Sequence, residues 1–235
     1  MRKSLVFFRS NLADPRPTGS ESTAFAIATT FWQLLHHPSA LERLTAEVRA
    51  AFSSVSAIRL GLTLDSCSYL QACIDETMRI FPPIPNYLPR HVQPGGLTVD
   101  DHYISESTQV GVVQYTLNRN PHYFPDPDTW RPERWIPDAA HGTTEESVQQ
   151  ARKAFFPFSA GPRVCIGQTI AEMEMRTVFA RALWTYDVRL APEATCCQKT
   201  PAGRACEPKM TAHIAAMLPE GGPMAQFRKR DDLLV

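Results

Sequence analysis

Apolar positions recur at helical spacing over several long stretches of this chain and alternate over shorter ones. From about Ser20 to His37, the positions Phe25, Thr29, Trp32 and Leu35 fall on one stripe, the repeat of a helix with one face turned to a core. Pro38 interrupts it, because proline removes a donor and clashes with the preceding turn. Ser39-Ala40-Leu41-Glu42 then reads as a capping box. Leu41, Leu44, Val48 and Phe52 carry a second helix onward, packed as plain core. Residues 53–64 show no period and read as a loop with few constraints. A third helix runs from about Cys67 to Phe81, with Leu70, Ile74, Met78 and Phe81 inward, until Pro82-Pro83 stops it.

Short alternations follow. Leu97 and Val99 precede a turn at Asp100-Asp101, with Ile104 beyond it, and Val110 and Val112 alternate again. Residues 119–137 are rich in proline and aromatic residues, and residues 138–154 are polar and read as a surface loop. Helical spacing returns from Cys165 to about Thr185 through Ile166, Ile170, Met173 and Val178. Tyr186, Val188 and Leu190 read as a strand, and Met210, Ala212, Ile214, Ala216 and Leu218 as another. Arg228-Lys229-Arg230-Asp231-Asp232 reads as a solvated tail, and residues 1–18 as a leader without period. The pattern predicts a mainly α chain with small β-sheets, an α+β class, without internal repeats.

Composition narrows the picture. Hydrophobic residues make up 43% of 235, enough for a core in one domain or one and a half. Lys+Arg and Asp+Glu both number 24, so no excess of positive charge points to nucleic acid. The six cysteines lack the density of a disulfide scaffold and no secretory signal precedes them, which points to a reducing compartment. Cys196, Cys197, Cys206 and His213 do not match common zinc spacing. His36, His37, His102, His122 and His141 sit at helix ends or in loops, none with a second ligand at metal spacing. Leu5-Val6-Phe7-Phe8 is far too short to span a membrane.

One block carries distinctive chemistry: Phe158-Ser159-Ala160-Gly161-Pro162-Arg163-Val164-Cys165-Ile166-Gly167. A thiol stands between two glycines, an arginine precedes it by two, and a helical pattern follows it directly. As a thiolate, Cys165 is a soft anionic ligand for iron. The positive end of the helix that follows favours that charge. Gly161 and Gly167 permit a sharp turn and close approach to a flat group. Arg163 offers a positive fork for a carboxylate, and Phe158 an apolar face that keeps water from the sulfur.

The block matches every fixed position of F-x-x-G-x-R-x-C-x-G and resembles the heme-binding loop of the cytochrome P-450 family. Cys73-Ile74-Asp75-Glu76-Thr77-Met78-Arg79-Ile80-Phe81-Pro82-Pro83 resembles that family's E-x-x-R helix. The spacing puts Glu76 and Arg79 on one helical face. Phe124-Pro125-Asp126-Pro127 and Trp130-Arg131-Pro132-Glu133-Arg134-Trp135 resemble its proline-rich meander, which implies that Arg134 joins Glu76 and Arg79 in one buried network. Tyr87-Leu88-Pro89-Arg90 is similar to the strand that supplies an arginine to a heme propionate, with His91 beside it. Thr18-Gly19-Ser20-Glu21-Ser22-Thr23 aligns with the family's oxygen-activating helix. There Glu21 keeps the acid, Ser22 keeps a hydroxyl, and Thr18 replaces a small residue. Pro15 and Pro17 predict that this helix begins near Gly19. Asn118-Arg119 stands where many relatives have a polar-basic pair with a structural role.

The resemblance covers about Gly19 to Leu218. It implies the C-terminal half of the cytochrome P-450 fold, preceded by an unrelated leader (1–18) and followed by a tail (219–235). Family members are usually about twice as long, so most of the substrate pocket is expected to lie outside this chain. The implied function is a heme-thiolate monooxygenase acting on a small hydrophobic molecule. The resemblance implies that Cys165 is the iron ligand and that Arg90, Phe158, Arg163 and Gly167 hold heme. It implies likewise that Glu21 and Ser22 relay protons, and that dioxygen and NADPH serve through a flavin reductase. Pro94-Gly95-Gly96 and Glu174-Met175-Arg176 resemble filamentous-fungal members that decorate secondary metabolites. The alternatives are a truncated heme-binding fragment without turnover and an inert remnant of such a gene. Relatives lie at the endoplasmic-reticulum surface through an N-terminal anchor, which this sequence does not show.

Overall fold

The computed structural model describes residues 4–6, 18–192, 210–212, 217–219 and 224–233. A short strand, β1 (Ser4–Val6), precedes α1 (Thr18–His36) and α2 (Pro38–Ala51). The short α3 (Leu62–Asp65) leads into α4 (Ser68–Ile80). Four short strands follow: β2 (Arg90–His91), β3 (Leu97–Val99), β4 (His102–Ile104) and β5 (Gln109–Val110). Next come α5 (Gln114–Leu117), α6 (Glu145–Arg152) and the long α7 (Gln168–Thr185). The chain closes through β6 (Tyr186–Leu190), β7 (Met210–Ala212), β8 (Met217–Pro219) and β9 (Ala225–Lys229). The α+β reading from the sequence therefore holds.

The core is helical. Phe25, Phe31 and Leu34 of α1, Leu44 and Val48 of α2, Leu70, Ile74 and Met78 of α4, and Met175, Phe179 and Leu183 of α7 form one buried cluster. Eleven of the thirteen residues of α4 are buried, where an amphipathic surface helix would bury one stripe. The proline-rich stretch and α6 cover the face of α4 that the other helices leave. Asp75, Glu76 and Arg79 are thereby enclosed along with Leu70, Ile74 and Met78.

The sheets are small and antiparallel: β1-β9-β6, β2-β5, β3-β4 and β7-β8. Asp100 and Asp101 join β3 to β4 with φ of 47° and 65°, the left-handed pair that suits a tight hairpin.

Several expectations need correction. The capping box at Ser39–Glu42 is absent: α2 starts at Pro38, whose missing N–H suits a first helical position, and His37 precedes it without a side-chain cap. Residues 53–64 hold a 3₁₀ turn and α3, pinned by fully buried Ile58 and Leu64. Residues 138–154 are not a plain surface loop. Thr144 and Ser147 form a reciprocal cap at the start of α6, and Val148 and Ala151 are buried. The helix after Cys165 begins three residues later, at Gln168, and its buried stripe is Met175, Phe179, Ala180, Leu183 and Trp184. Ile166 and Ile170 point outward. The run from Met210 to Leu218 folds back on itself, with Thr211 opposite Leu218. The basic tail takes part in a sheet: β9 lies between β1 and β6, with Val188 opposite Phe227, although Arg228 and Lys229 are exposed. Cys196, Cys197, Cys206 and His213 lie outside the described residues.

One contact between helices replaces a local cap. Glu47, in the middle of α2, accepts hydrogen bonds from the backbone N–H groups of Tyr69 (2.8 Å) and Leu70 (2.9 Å). These are first-turn donors of α4, which lacks a capping side chain of its own at Cys67. An acceptor at that position satisfies orphan donors and meets the positive helix end. Glu47→Ala is expected to lower unfolding free energy by about 1–2 kcal/mol, the range of a lost N-cap. Urea denaturation would show this, and an unchanged midpoint would mean that water replaces the carboxylate.

Candidate functional site

Glu76, Arg79 and Arg134 are buried to within 3% exposure and meet as the sequence predicts. Arg79 grips the Glu76 carboxylate with two parallel bonds, from Nε (2.9 Å) and Nη2 (2.8 Å). Its remaining N–H groups reach the carbonyls of Asn118 (2.8 Å), Pro127 (2.7 Å) and Thr129 (3.3 Å), so all five donors are used. Arg134 adds its Nε to Glu76 at 3.3 Å and spends its other nitrogens on the carbonyls of Pro125 and Asp126. Glu76 also accepts from the Arg131 N–H and from Trp135 Nε1, both at 3.0 Å. Burial pulls the Arg134 guanidinium below the usual arginine range, and Glu76 opposes that pull. A buried carboxylate with five donors around it meets the condition under which a buried ion pair is tolerated.

The network fixes the proline-rich stretch because its arginines bond to backbone. Asn118 completes the frame from the other side, donating its amide to the Arg79 carbonyl at 3.0 Å. Arg119 donates to the Ile80 carbonyl at 2.9 Å. The structural role expected for Asn118-Arg119 is thus observed. Trp135 and Trp130 are further members that sequence reasoning did not single out. Trp130 donates Nε1 to Thr77 Oγ1 at 3.0 Å. An indole N–H needs a partner when buried, and that rule is the signal that could have found them.

From this frame the chain passes through α6 to the thiol loop. Gln114 holds the approach, donating its amide to the Phe156 carbonyl at 2.8 Å. Ser159 and Gly161 take left-handed backbone, φ 66° and 72°. Only glycine does so without steric cost, so Gly161 is required here for its conformation. The loop closes where the Cys165 N–H donates to the Phe158 carbonyl at 2.9 Å. Phe158 is half-buried and packs on the main core. A methyl group on Gly167 would lie 3.8 Å from Cys165 Sγ, so the sulfur sits beside the residue that precedes α7, at the positive end of an 18-residue helix.

Among the described free cysteines, Cys165 alone is exposed. Burial pushes the Cys67 thiol up to about 11 and Cys73 well above its usual range, so both stay neutral packing groups. Val164, Ile166, Ile170 and Phe156 are exposed apolar neighbours in sequence. A cavity of about 350 Å³ has Arg90, Leu88, Val112, Phe156, Ser159 and Ala160 in its wall. Arg90 is thereby brought to the loop that leads to Cys165. Arg163 is exposed two residues before the sulfur. A lone accessible thiol at a helix start, apolar surface around it and a nearby arginine-bearing cavity fit a flat apolar group with acidic edges, ligated through one sulfur. Among the described residues no cluster of three or more His, Cys, Asp or Glu could hold a metal by itself. The donor that the described loop offers is the Cys165 thiol, which would suit iron already held by four other ligands.

Glu21 and Ser22 stand half-buried in the first turn of α1, where Ser22 Oγ donates to the Gly19 carbonyl at 3.3 Å. Among the described residues α1 runs from Thr18; Pro15 and Pro17 lie outside them. The role of Glu21 and Ser22 rests on resemblance. Among the described residues no helix is long and apolar enough to cross a membrane.

A family model described as cytochrome P-450 matches residues 17–212. A cytochrome P-450 monooxygenase of Gibberella zeae is 35% identical over 221 residues, 92% of this chain and 49% of its own length. The monooxygenase cpaH of Aspergillus oryzae is 41% identical over 174 residues, 74% of this chain and 33% of its own. A trichothecene C-4 hydroxylase of Trichoderma arundinaceum is 37% identical over 177 residues, 75% of this chain and 36% of its own. The chain thus spans between about a third and a half of the length of these curated relatives.

Proposed function

This chain belongs to the cytochrome P-450 family, and on that premise we propose that it serves as a heme-thiolate monooxygenase. Its substrate is a small hydrophobic molecule of fungal secondary metabolism. The observation that carries the reading is the exposed Cys165 thiol, beside Gly167 at the start of α7, on a loop whose Phe158 packs on the main core.

The resident cofactor is heme, which when bound supplies dioxygen and one-electron chemistry that no side chain offers. The chain's own residues hold and shield it. Cys165 would give the iron its thiolate ligand, stabilised by the positive end of α7. Phe158 excludes water from the sulfur side. Arg90 and Arg163 set positive forks for carboxylates. Glu21 and Ser22, adjacent on α1, pass protons through a carboxylate and a hydroxyl, a general-acid task. Electrons come from NADPH through a flavin reductase, and the reaction belongs at the endoplasmic-reticulum surface by the same resemblance.

The test uses isotope-labelled dioxygen. The heme-loaded protein, a fungal NADPH-dependent flavin reductase and a panel of small hydrophobic compounds are incubated together. One labelled oxygen atom should enter an organic product for each NADPH consumed, the second leaving as water. NADPH consumption that yields only peroxide would instead favour a heme-binding protein without turnover.

A further inference from the structure

We propose that Asp75 is a proton-operated latch that holds α6, the helix leading into the Cys165 loop, against the buried charge frame. The inference does not depend on the cofactor. Asp75 neighbours Glu76 in sequence yet plays no part in its network. It is 5% exposed, and its carboxylate has one short hydrogen bond, from the Gln71 amide at 2.8 Å. Its cationic partner is Arg152, in the last turn of α6, at 3.8 Å and half exposed. A carboxylate has room for about four donors, so Asp75 is poorly satisfied for a buried charge.

The partner is mechanically placed. The Arg152 guanidinium lies 5.5 Å above the Trp135 ring, and Trp135 is the donor to Glu76 Oε2. Trp135 also packs on Phe155, ring centres 4.6 Å apart. Three residues later Phe158 accepts the Cys165 N–H. Ionised Asp75 therefore draws Arg152, and with it the end of α6, over Trp135. Neutral Asp75 gives up that attraction, and the end of α6 loosens.

The groups that act on Asp75 come from three helices. On α4, Gln71 favours the charge and Glu76 opposes it; on α6, Arg152 favours it; on α7, Glu172 opposes it. Burial outweighs them all and raises the carboxyl to about 6. The folded value lies above the unfolded one, so the folded protein binds the proton more tightly. Ionisation of Asp75 thus removes stability as pH rises from about 4 to 6. The latch closes at the cost of global stability, which an ordinary surface ion pair would not do.

The test is amide hydrogen exchange on the full chain, corrected for intrinsic rates, at pH 5 and pH 7.5. In the wild type, the end of α6 should exchange up to about fivefold faster at pH 5, the factor that a pair of this exposure is worth. Exchange in α2 should not quicken at pH 5, because protonated Asp75 leaves the protein globally more stable. Asp75→Asn should exchange fast in α6 at both values, yet resist urea better than wild type at pH 7.5 and by a smaller margin at pH 5. Arg152→Gln, at a half-exposed position, should reproduce the fast α6 while keeping the pH-dependent urea midpoint. Equal α6 protection at both pH values in wild type, or parallel changes in α2 and α6, would overturn the latch. So would an Asp75→Asn variant less stable than wild type at pH 7.5.

Discussion

Glu76→Ala is expected to unfold this protein or leave it without fixed tertiary structure. The substitution removes the acceptor for five donors: two from Arg79, one each from Arg134 and Trp135, and the Arg131 N–H. Two guanidinium groups would be left buried without an anion. Breaking a buried pair in this way costs about 3–5 kcal/mol, against a total of roughly 5–15 kcal/mol for an ordinary domain. Loss of the Trp135 and Arg134 anchors also frees the stretch from Pro125 to Trp135, which covers α4. Glu76→Gln keeps the shape and one acceptor oxygen and should fall between. Urea titration followed by near-ultraviolet circular dichroism reads the effect. A Glu76→Ala variant with a wild-type midpoint would mean that the network lends no net stability.

Cys165→Ala is expected to have the opposite profile: a fold near wild type and loss of thiolate ligation. Cys165 is exposed, and its side chain fills no core position, so removing the sulfur opens no buried cavity. Its backbone N–H still bonds the Phe158 carbonyl, which keeps the loop closed. Urea midpoints within about 0.5 kcal/mol of wild type are expected, as for surface substitutions. Heme titrated into the variant should bind weakly, with an absorption spectrum lacking any sulfur-to-iron signature. An unchanged thiolate spectrum in Cys165→Ala would move the ligand to another residue.

The contrast between these two variants shows which parts of the site the sequence carries openly. Glu76 and Arg79 are three apart on a helix, so their pairing is local and legible. The Cys165 loop is legible for the same reason, since glycine, arginine and thiol lie within ten residues. Arg134 lies 58 residues from Glu76, and only the family pattern brings the two together. The carbonyls that saturate Arg79 and Arg134 are invisible in principle, because every residue has one.

The errors have physical causes as well. α6 is short and polar on most faces, so two buried residues, Val148 and Ala151, made no period to read. Its cap, Thr144 with Ser147, departs from the usual acidic pattern. Ile166 and Ile170 keep helical spacing with Met173 yet face outward near the thiol. Periodicity records that a face is apolar; it does not say what the face covers. Asp75 carries no local signal for the reverse reason: its burial and its contact with Arg152 of α6 are tertiary facts.

The central claim is that Cys165 ligates heme iron as a thiolate at the start of α7. The direct measurement is the absorption spectrum of the heme-loaded, reduced protein under carbon monoxide. Ligation by an anionic sulfur would shift the main heme band of the carbon monoxide complex strongly to the red of its position with a neutral ligand. The account predicts the red-shifted band in wild type, retained in Arg152→Gln and lost in Cys165→Ala. A wild-type band at the neutral-ligand position would contradict it.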